Sequence, residues 1–343
     1  MIAKEEIDEI AKTFLPFQEW TGRFDVPDVH KLVDQELNLP GRRARPLTPL
    51  LHIVSGNTPH NVFQTVFRGL LIGAHNLLKL PSSGIAEFER FRSQLSPHLK
   101  KRLEVSNQLS DEWILRAQAA VTYGSDQTIN QVHKKLRPDQ KHIIHGHKTS
   151  IALIEKTQGA AQKVAKDITR YNQTGCLSVT NLYVPAHELS SFALELAEEL
   201  QEMERISPRG AIPSSAAGAI NTLRLLKAFD PGARVLQSKG STAWTIVCSD
   251  KPQMEDSPLY RTVFVKALPA DLGNLGKLQK HISTVALHPF PRELPTPVLN
   301  LPATRFTELG TAQEPTLFWT PDGYSPLSSL VTWQSIQRPI SHA

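Results

Sequence analysis

Short apolar segments alternate with longer segments of helical periodicity along most of this 343-residue chain. The helical spacing of apolar residues predicts helices over residues 2–15, 60–71, 188–206 and 214–229. Apolar or β-branched runs between them predict strands at residues 50–55, 76–80, 119–123, 141–145, 177–184, 233–237, 242–248, 261–268 and 283–287. Strands that alternate with helices of this length favour parallel sheets with helices on both faces. We therefore predict an α/β fold.

The composition excludes several protein classes. Hydrophobic residues make up 40% of the chain and charged residues 21%, which suffices for a packed core. No apolar run approaches the ~20 residues of a membrane span, and the N-terminus lacks the apolar middle of a signal peptide. Two cysteines cannot build a disulfide framework. We expect a cytoplasmic protein with no membrane span.

The charge balance is mildly basic, with 38 Lys and Arg against 33 Asp and Glu and a formal net charge of +5. Such a chain suits anionic small molecules, including phosphorylated cofactors. The densest basic segment, GRRARP at residues 41–46, has no interleaved aromatic residues, and we interpret it as a solvated turn. Because no nucleic-acid-binding motif accompanies it, we predict no nucleic-acid partner.

A domain boundary is predicted near residue 150, where a polar, lysine-bearing helical segment (157–171) leads into a second strand-rich region. We assign residues 1–150 to an N-terminal domain and residues 151–325 to a second domain. The remaining segment, residues 326–343, is flanked by prolines, and we interpret it as a C-terminal arm or an edge strand.

The first candidate site follows the strand at residues 50–55. Neither GxGxxG nor GxxxxGK[ST] occurs in the chain, so the standard phosphate fingerprints are absent. Instead, Gly56-Asn57-Thr58-Pro59 forms a turn before a helix, where amide groups hold anions or developing oxyanions. The next strand ends at Lys79, just before Pro81-Ser82-Ser83. The alternative is an ordinary βαβ unit with an asparagine in its turn.

A second strand–glycine–helix junction lies at Tyr123-Gly124-Ser125-Asp126. Gly124 permits a tight turn, and Ser125 or Asp126 can cap the helix that follows. A helix N-terminus after a strand is the geometry that receives a phosphate, although many helices begin in this way without binding one.

Cys176 lies in a polar loop after Asn172, Gln173 and Thr174 and before a strand. Cys248, by contrast, lies within the apolar run AWTIVCS, as structural cysteines usually do. An accessible cysteine near backbone N–H groups is suited to nucleophilic catalysis. The local pattern leaves both a nucleophile and an inert thiol open.

Three histidines lie close together in HIIHGHK. If the strand continued through them, His145 and His147 would share one face and His142 would point away. Metal sites need convergent ligands and usually a further carboxylate or cysteine. We predict no metal site and expect a capping or cofactor-side role for these histidines.

Taken together, the candidate segments resemble the aldehyde dehydrogenase superfamily between residues 50 and 180. In chain order, the family's WNxP, GNxVVxKPSE, TGS, ELGGK and GQxC motifs correspond to residues 56–59, 73–83, 123–125, 144–148 and 172–176. The sequence looks most like the long-chain acyl-CoA reductases of bacterial luminescence (LuxC type). Residues 243–275 and 281–287 and the tail, with Arg305, Gly310, Pro315, Trp319, Asp322 and Gly323, support this branch. The chain is short for that family, and we expect a trimmed N-terminus.

The resemblance implies two domains, each built on a mostly parallel sheet flanked by helices, with nucleotide binding in residues 1–150 and catalysis in residues 151–325. It implies that an acyl thioester is reduced to a fatty aldehyde through an acyl-enzyme on Cys176. Asn57 and the Cys176 backbone N–H would hold the oxyanion, and His145 or His147 would supply a proton. The residues implied to bind the cofactor are Thr58, Lys79, Ser82, Gly124 and Ser125.

Two departures from the superfamily pattern bear on chemistry. Ile144 stands where aldehyde dehydrogenases have the glutamate that activates the hydrolytic water, and no carboxylate occurs between His142 and Lys148. This absence fits a reductase that works from a thioester. The glutamate that repels a 2′-phosphate is also absent, because Gly84 follows Ser83. We therefore expect NADPH as the cofactor, with NADH as the alternative.

The expected substrate is an acyl-CoA or an acyl-protein thioester, with a partner protein that transfers the acyl group, and we expect a homo-oligomer. Two other functions remain open at this point. One is another branch of the superfamily, such as a semialdehyde reductase acting on an acyl phosphate. The other is a non-catalytic relic of the fold that binds a nucleotide.

Overall fold

The computed structural model describes residues 2–337, which form two compact units. Unit 1 contains residues 2–147 and 314–337, and unit 2 contains residues 148–313. The prediction that residues 314–325 belong to the second domain is wrong. Leu317, Leu327 and Leu330 belong to the same buried cluster as the N-terminal helices, and Thr316 forms a backbone bridge with Arg23. Residues 338–343 of the predicted arm lie outside the described residues.

The described residues contain α-helices and β-strands in alternation through most of the chain. The helices are α1 (Lys4–Phe14), α2 (Gln18–Thr21), α3 (Val26–Leu37), α4 (His60–Leu71), α5 (Ala86–Gln94), α6 (Pro97–Lys100), α7 (Asp111–Arg116), α8 (Asp126–His133), α9 (Ala160–Thr169), α10 (Leu189–Ile206), α11 (Ser214–Ala228) and α12 (Thr296–Leu299). The strands are β1 (Arg42–Pro46), β2 (Leu50–Ile53), β3 (Asn76–Lys79), β4 (Leu103–Ser106), β5 (Ala119–Tyr123), β6 (Lys141–His145), β7 (Thr149–Ile154), β8 (Val179–Val184), β9 (Ala233–Gln237), β10 (Thr245–Ser249), β11 (Thr262–Ala267), β12 (Ile282–His288), β13 (Arg305–Glu308) and β14 (Val331–Ser335).

Unit 1 is built on a five-stranded parallel sheet in the order β4-β3-β2-β5-β6. Every residue of β2 and β5 is buried, as expected for central parallel strands that are covered on both faces. Helix α4 packs its aromatic residues Phe63 and Phe67 against rings of α1, α2 and α5. The strands predicted at 50–55, 76–80, 119–123 and 141–145 are four of the five strands of this sheet, and the edge strand β4 was not predicted.

A separate two-stranded ribbon in unit 1 corrects the interpretation of residues 41–46 as a turn. Residues 42–46 form strand β1, which pairs antiparallel with β14 near the end of the described chain. Ala44 is buried, and Arg43 and Arg45 point to the exposed side. Its pairing partner, β14, lies almost 300 residues away, so no local sequence pattern predicts this strand.

Unit 2 is built on a seven-stranded sheet in the order β13-β12-β7-β8-β11-β10-β9. All neighbouring strands are parallel except the edge pair β9 and β10, which is antiparallel. Helices α9 and α10 pack on one face of this sheet in a cluster that includes Val164, Leu196 and Val265. Strand β7 was not predicted, because only three residues separate it from β6.

Both units are therefore mostly parallel sheets covered by helices, which confirms the predicted architecture. Between residues 2 and 337, no helix has both the length and the apolar character that crossing a bilayer requires.

Candidate active site

The predicted unit 1 site residues gather at the carboxyl edge of the five-stranded sheet. Because the strands are parallel, the segments that follow them emerge at the same edge. From β2, the chain first adds β3 and β4 on one side of the sheet and then returns to add β5 and β6 on the other side of β2, so the order of the strands reverses at β2. Ligands of open α/β sheets bind in the crevice at such a reversal. The predicted site residues at this edge are Asn57, Thr58, Lys79, Ser82, Gly124, Ser125 and His145.

The turn after β2 presents Asn57 to solvent and buries Thr58. The Asn61 amide donates to Ser55 Oγ at 2.9 Å, which ties the first turn of α4 back to the end of the strand. A side chain at Gly56 would place its Cβ 3.1 Å from the Cβ of Pro81. Glycine therefore allows the turn after β2 to contact the segment after β3.

Lys79 is the last residue of β3 and is half-buried. It pairs with Ile53 of β2 and with Ser106 of β4, so it lies between the ends of two other strands. Within the described part of the chain, no carboxylate lies within ion-pair distance of its ammonium group, and Ser82 is exposed three residues later. A half-buried cation with no carboxylate counter-ion at this edge suits a phosphate.

At the junction after β5, Ser125 rather than Asp126 caps helix α8. Its Oγ accepts a hydrogen bond from the Thr128 N–H at 3.3 Å. The Gly124 N–H donates to the His145 carbonyl at 3.2 Å, so this donor serves the fold. A Cβ at Gly124 would lie 3.2 Å from the Cβ of Thr128. Gly124 therefore allows a tight turn at this edge of the sheet, but its N–H group is already hydrogen-bonded within the fold.

His145 ends β6 with its ring almost fully buried. Its Nδ1 lies 2.6 Å from Oδ2 of Asp322, which comes from the C-terminal segment of unit 1. The Tyr123 ring stacks on the imidazole at a centroid distance of 4.3 Å, and Tyr324 meets it edge-on at 5.6 Å. The sequence analysis missed Asp322 as a partner, because 177 residues separate it from His145.

The other two histidines of this segment diverge from His145. His142 contacts Thr122 Oγ1 at 3.0 Å and stacks on His133, and burial, together with the His133 charge, lowers its pKa. His147 lies beyond the end of β6 and is exposed, so the predicted common face with His145 is wrong. Over residues 2–337, no group of three or more His, Cys, Asp or Glu side chains converges as metal ligands would.

In unit 2, the exposed Cys176 lies in the loop that enters β8, at the amino edge of the sheet. The Ser150 hydroxyl donates to the Cys176 carbonyl at 2.7 Å. The Ser178 N–H donates to the Gly175 carbonyl at 3.1 Å, and the Gln313 amide donates to Ser178 Oγ at 2.6 Å. The backbone on both sides of Cys176 is thus held in place while its side chain reaches solvent.

The residues before Cys176 adopt an uncommon backbone. Tyr171, Asn172 and Gln173 have φ values of 54°, 50° and 61°, in the left-handed region. Non-glycine residues there cost about 1 kcal/mol or more each and persist only where neighbours hold them. Gln173 meets this requirement, because its Oε1 accepts from the Thr262 N–H at 2.7 Å and its Nε2 donates to the Val179 carbonyl at 2.9 Å.

A second left-handed segment buttresses the first. Residues 259–261 have φ values of 66°, 53° and 64°. The Tyr260 N–H donates to the Asn172 carbonyl at 3.1 Å, and Arg261 Nε donates to Asn172 Oδ1 at 2.9 Å. The buried Arg261 also donates to Glu204 at 2.7 Å. Sequence reasoning missed both Arg261 and Glu204, whose positions in the chain lie far from the cysteine.

Cys248 lies buried within β10. Burial raises the pKa of its thiol to about 11, an effect that the nearby Arg234 charge only partly opposes. The thiol is therefore protonated at neutral pH and lacks the thiolate character that a nucleophile needs.

A family model described as acyl-CoA reductase (LuxC) matches residues 39–333. A long-chain acyl-protein thioester reductase of Aliivibrio fischeri is 25% identical over 319 residues, which cover 88% of this chain and 66% of that protein. A protein of the same description from Photorhabdus luminescens is 25% identical over 318 residues, which cover 87% of this chain and 65% of that protein. The chain thus spans just under two thirds of the length of these relatives.

Solved structures show the same fold at low sequence identity. A NAD-dependent aldehyde dehydrogenase from Sinorhizobium meliloti superimposes with a TM-score of 0.72 at 12% identity, covering 100% of this chain and 84% of that chain. An oxidoreductase from Marinobacter aquaeolei superimposes with a TM-score of 0.71 at 14% identity, covering 96% of this chain and 82% of that one. The fold is that of the aldehyde dehydrogenases, as predicted.

Proposed function

Because this chain belongs to the acyl-CoA reductase (LuxC) family, we propose that it reduces long-chain acyl thioesters to fatty aldehydes through an acyl-enzyme on Cys176. The observation that carries the proposal is the family match, whose span from residue 39 to 333 contains every candidate site residue. The relatives' description as acyl-protein thioester reductases and the aldehyde dehydrogenase fold support the same chemistry.

In the first half-reaction, the Cys176 thiolate attacks the thioester carbon of the acyl donor. The resulting oxyanion is proposed to be held by the Cys176 N–H and the Asn57 amide. When the bond between carbon and the donor sulfur breaks, the acyl group stays on Cys176 and the donor leaves as a thiolate. The donor thiolate then takes up one proton. The exposed Cys176 side chain and its fixed backbone support this role.

In the second half-reaction, the acyl carbon on Cys176 is reduced; a nicotinamide cofactor, when bound, would supply the hydride. The oxyanion that results on Cys176 collapses to the aldehyde and regenerates the Cys176 thiolate. This collapse consumes no proton, so the single proton of the complete reaction belongs to the departing donor thiol. We assign the transfer of that proton to His145.

Thr58, Lys79, Ser82, Gly124 and Ser125 are the residues proposed to hold the cofactor. Lys79 has no carboxylate counter-ion in residues 2–337, and no acidic residue occurs between Leu80 and Gly84. An ammonium group without a competing carboxylate favours a 2′-phosphate, so NADPH is the proposed cofactor, with NADH as the alternative.

Hydrolysis of the acyl-enzyme is disfavoured by the residues of β6 and its exit. Ile144 replaces the glutamate expected from the superfamily, and residues 142–148 contain no carboxylate. Asp322 does approach this segment, but its Oδ2 is engaged by His145. Transfer of a hydride to the thioester is therefore favoured over attack of water. An acyl-CoA or an acyl-protein is the proposed donor, with a partner protein that transfers the acyl group and a homo-oligomeric assembly.

The test is mass spectrometry of the intact protein after brief exposure to a long-chain acyl-CoA, without nucleotide. We expect a mass increase of one acyl group, located on the peptide that contains Cys176. Addition of NADPH should then remove the adduct, consume the nucleotide absorbance and release the aldehyde. The absence of any adduct, together with no nucleotide consumption, would contradict the proposed function.

A further inference from the structure

His145 and Asp322 form a mostly buried acid–base pair at the carboxyl edge of the unit 1 sheet. Their side chains are 7% and 15% exposed, and His145 Nδ1 lies 2.6 Å from Asp322 Oδ2. A carboxylate can only accept hydrogen bonds, so Nδ1 is the nitrogen that carries the hydrogen. The other ring nitrogen, Nε2, is thereby left as the position that binds or releases a proton.

The imidazole is fixed in orientation as well as in tautomer. The Tyr123 ring lies nearly parallel to it at 4.3 Å, and the Tyr324 ring is edge-on at 5.6 Å. Asp322 has a φ of 54°, a left-handed conformation that aspartate tolerates better than most residues. The turn that carries Asp322 closes through the Tyr324 N–H, which donates to the Pro321 carbonyl at 3.0 Å.

A purely structural role, fastening the C-terminal segment to unit 1, is already filled by other contacts. Strand β14 pairs with β1 along its whole length. Leu327 and Leu330 are buried in the unit 1 core. The Glu36 carboxylate accepts hydrogen bonds from the N–H groups of Leu327 and Ser328 at 2.7 and 2.8 Å. The buried His145–Asp322 pair is therefore not needed to hold the C-terminal segment against unit 1.

We propose that Asp322 is a positioning residue that holds His145 in the Nδ1–H tautomer, so that Nε2 handles the proton of the reaction. This inference rests on the proposed function. When the bond between the acyl carbon and the donor sulfur breaks, Nε2–H of the protonated imidazole gives its proton to the donor sulfur. The neutral imidazole then takes up one proton from solvent, which is the single proton that the complete reaction consumes, because Cys176 is already a thiolate when the aldehyde leaves. The hydride step neither takes nor gives a proton.

The wild-type chain supplies the first test, which does not depend on activity. The ¹⁵N chemical shifts of neutral imidazole nitrogens distinguish the Nδ1–H from the Nε2–H tautomer. The His145 signals are assigned as those lost in His145→Gln. We expect the Nδ1–H tautomer for His145 in the wild type and a mixture in Asp322→Asn, because an asparagine amide can accept from or donate to Nδ1. The Nε2–H tautomer in the wild type, or an unchanged spectrum in the variant, would overturn the proposal.

The second test measures release of CoA after mixing an excess of protein with a long-chain acyl-CoA. We expect Asp322→Asn to slow release on the order of 10-fold to 100-fold, with little change in the protein concentration that gives half of the maximal rate. Asp139→Asn is the control, because Asp139 forms an exposed ion pair with Arg137. A wild-type rate in Asp322→Asn would refute the positioning role. If the wild type itself releases no CoA, the proposed function fails, while the tautomer comparison still decides whether Asp322 positions His145.

Discussion

Arg261 Nε donates to Asn172 Oδ1 at 2.9 Å and joins two left-handed segments, residues 171–173 and 259–261, in front of the Cys176 loop. The two residues lie 89 positions apart in the chain. The Arg261 guanidinium is buried and also forms an ion pair with Glu204. The Asn172 side chain is therefore hydrogen-bonded to an arginine that is itself fixed in position. The backbone that leads to Cys176 is thus set by side chains from another part of unit 2.

Asn172→Ala should lower the melting temperature and slow acylation of Cys176. The change removes the acceptor for Arg261 Nε and replaces a residue that tolerates a φ of 50° with one that does not. We expect a loss of about 2 kcal/mol in the free energy of unfolding. Asn274→Ala, in an exposed loop of unit 2, serves as the control and should change neither quantity. Equal behaviour of the two variants would show that Asn172 does not support the loop.

Two Gly→Ala substitutions within helices should have opposite effects on stability. A Cβ at Gly69 of α4 would lie 1.9 Å from Asn76 Oδ1, which bonds the buried His52 at 2.9 Å. Burial lowers the pKa of His52 to about 4, so its imidazole is neutral at pH 7, and Asn76 Oδ1 is the acceptor for its buried Nε2–H. Gly69→Ala should cost about 3 kcal/mol, through overpacking and the broken bond.

Gly218 of α11 is the matched case, because nothing lies within 4 Å of its Cβ position and the residue is exposed. Gly218→Ala should therefore add about 0.5–1 kcal/mol through helix propensity. Melting temperatures of both variants against the wild type test the pair. An unchanged or raised melting temperature in Gly69→Ala would refute the close packing at Gly69.

Asn57→Ala tests the proposed oxyanion donor. An oxyanion donor acts mainly in the transition state, so we expect kcat to fall on the order of 10²–10³ with a smaller change in the KM of the acyl donor. Asn130→Ala, on the exposed face of α8, is the control and should leave both constants unchanged. An unaltered kcat in Asn57→Ala would return Asn57 to the role of an ordinary turn residue.

Lys79→Ala tests the proposal that Lys79 binds the 2′-phosphate of NADPH. A charge-assisted contact is worth about 1.5–3 kcal/mol, so the KM for NADPH should rise roughly tenfold or more while the KM for NADH changes less. Acylation of Cys176, which needs no nucleotide, should keep its rate. Lys101→Ala removes an exposed lysine from the same unit and is the control. Equal losses with both nucleotides would mean that Lys79 supports the ribose or the fold.

Local periodicity was sufficient for much of the fold. The helix predicted at residues 60–71 and the strands predicted at 119–123 and 141–145 have those bounds in the structure, because their apolar spacing is set within a few residues. Strand β1 was missed for the opposite reason. Its backbone partners lie in β14, and three arginines in five residues show no alternation of buried and exposed positions.

The candidate site, like the fold, has features that the local sequence predicts and features that depend on distant residues. Short motifs around Asn57, Lys79, Gly124 and Cys176 were visible in the sequence, since each combines a strand end with a turn or a polar loop. The partners that orient the side chains were not visible. Asp322 reaches His145 from 177 residues away and Arg261 reaches Asn172 from 89 residues away, because the topology of each unit, and not its local sequence, brings them together.

The central claim is that Cys176, and not Cys248, carries the acyl group. Cys176 is exposed, whereas Cys248 is buried in β10 and its thiol has a pKa raised to about 11. Cys248→Ala should therefore cost some stability through lost core volume but retain acylation and reduction. Cys176→Ala should abolish both steps while leaving the fold intact.

The most direct measurement is the intact mass of the wild type, Cys176→Ala and Cys248→Ala after brief exposure to a long-chain acyl-CoA without nucleotide. The proposed mechanism predicts one acyl adduct on the wild type and on Cys248→Ala, none on Cys176→Ala, and loss of the adduct as aldehyde when NADPH is added. An adduct that persists in Cys176→Ala and disappears in Cys248→Ala would contradict it.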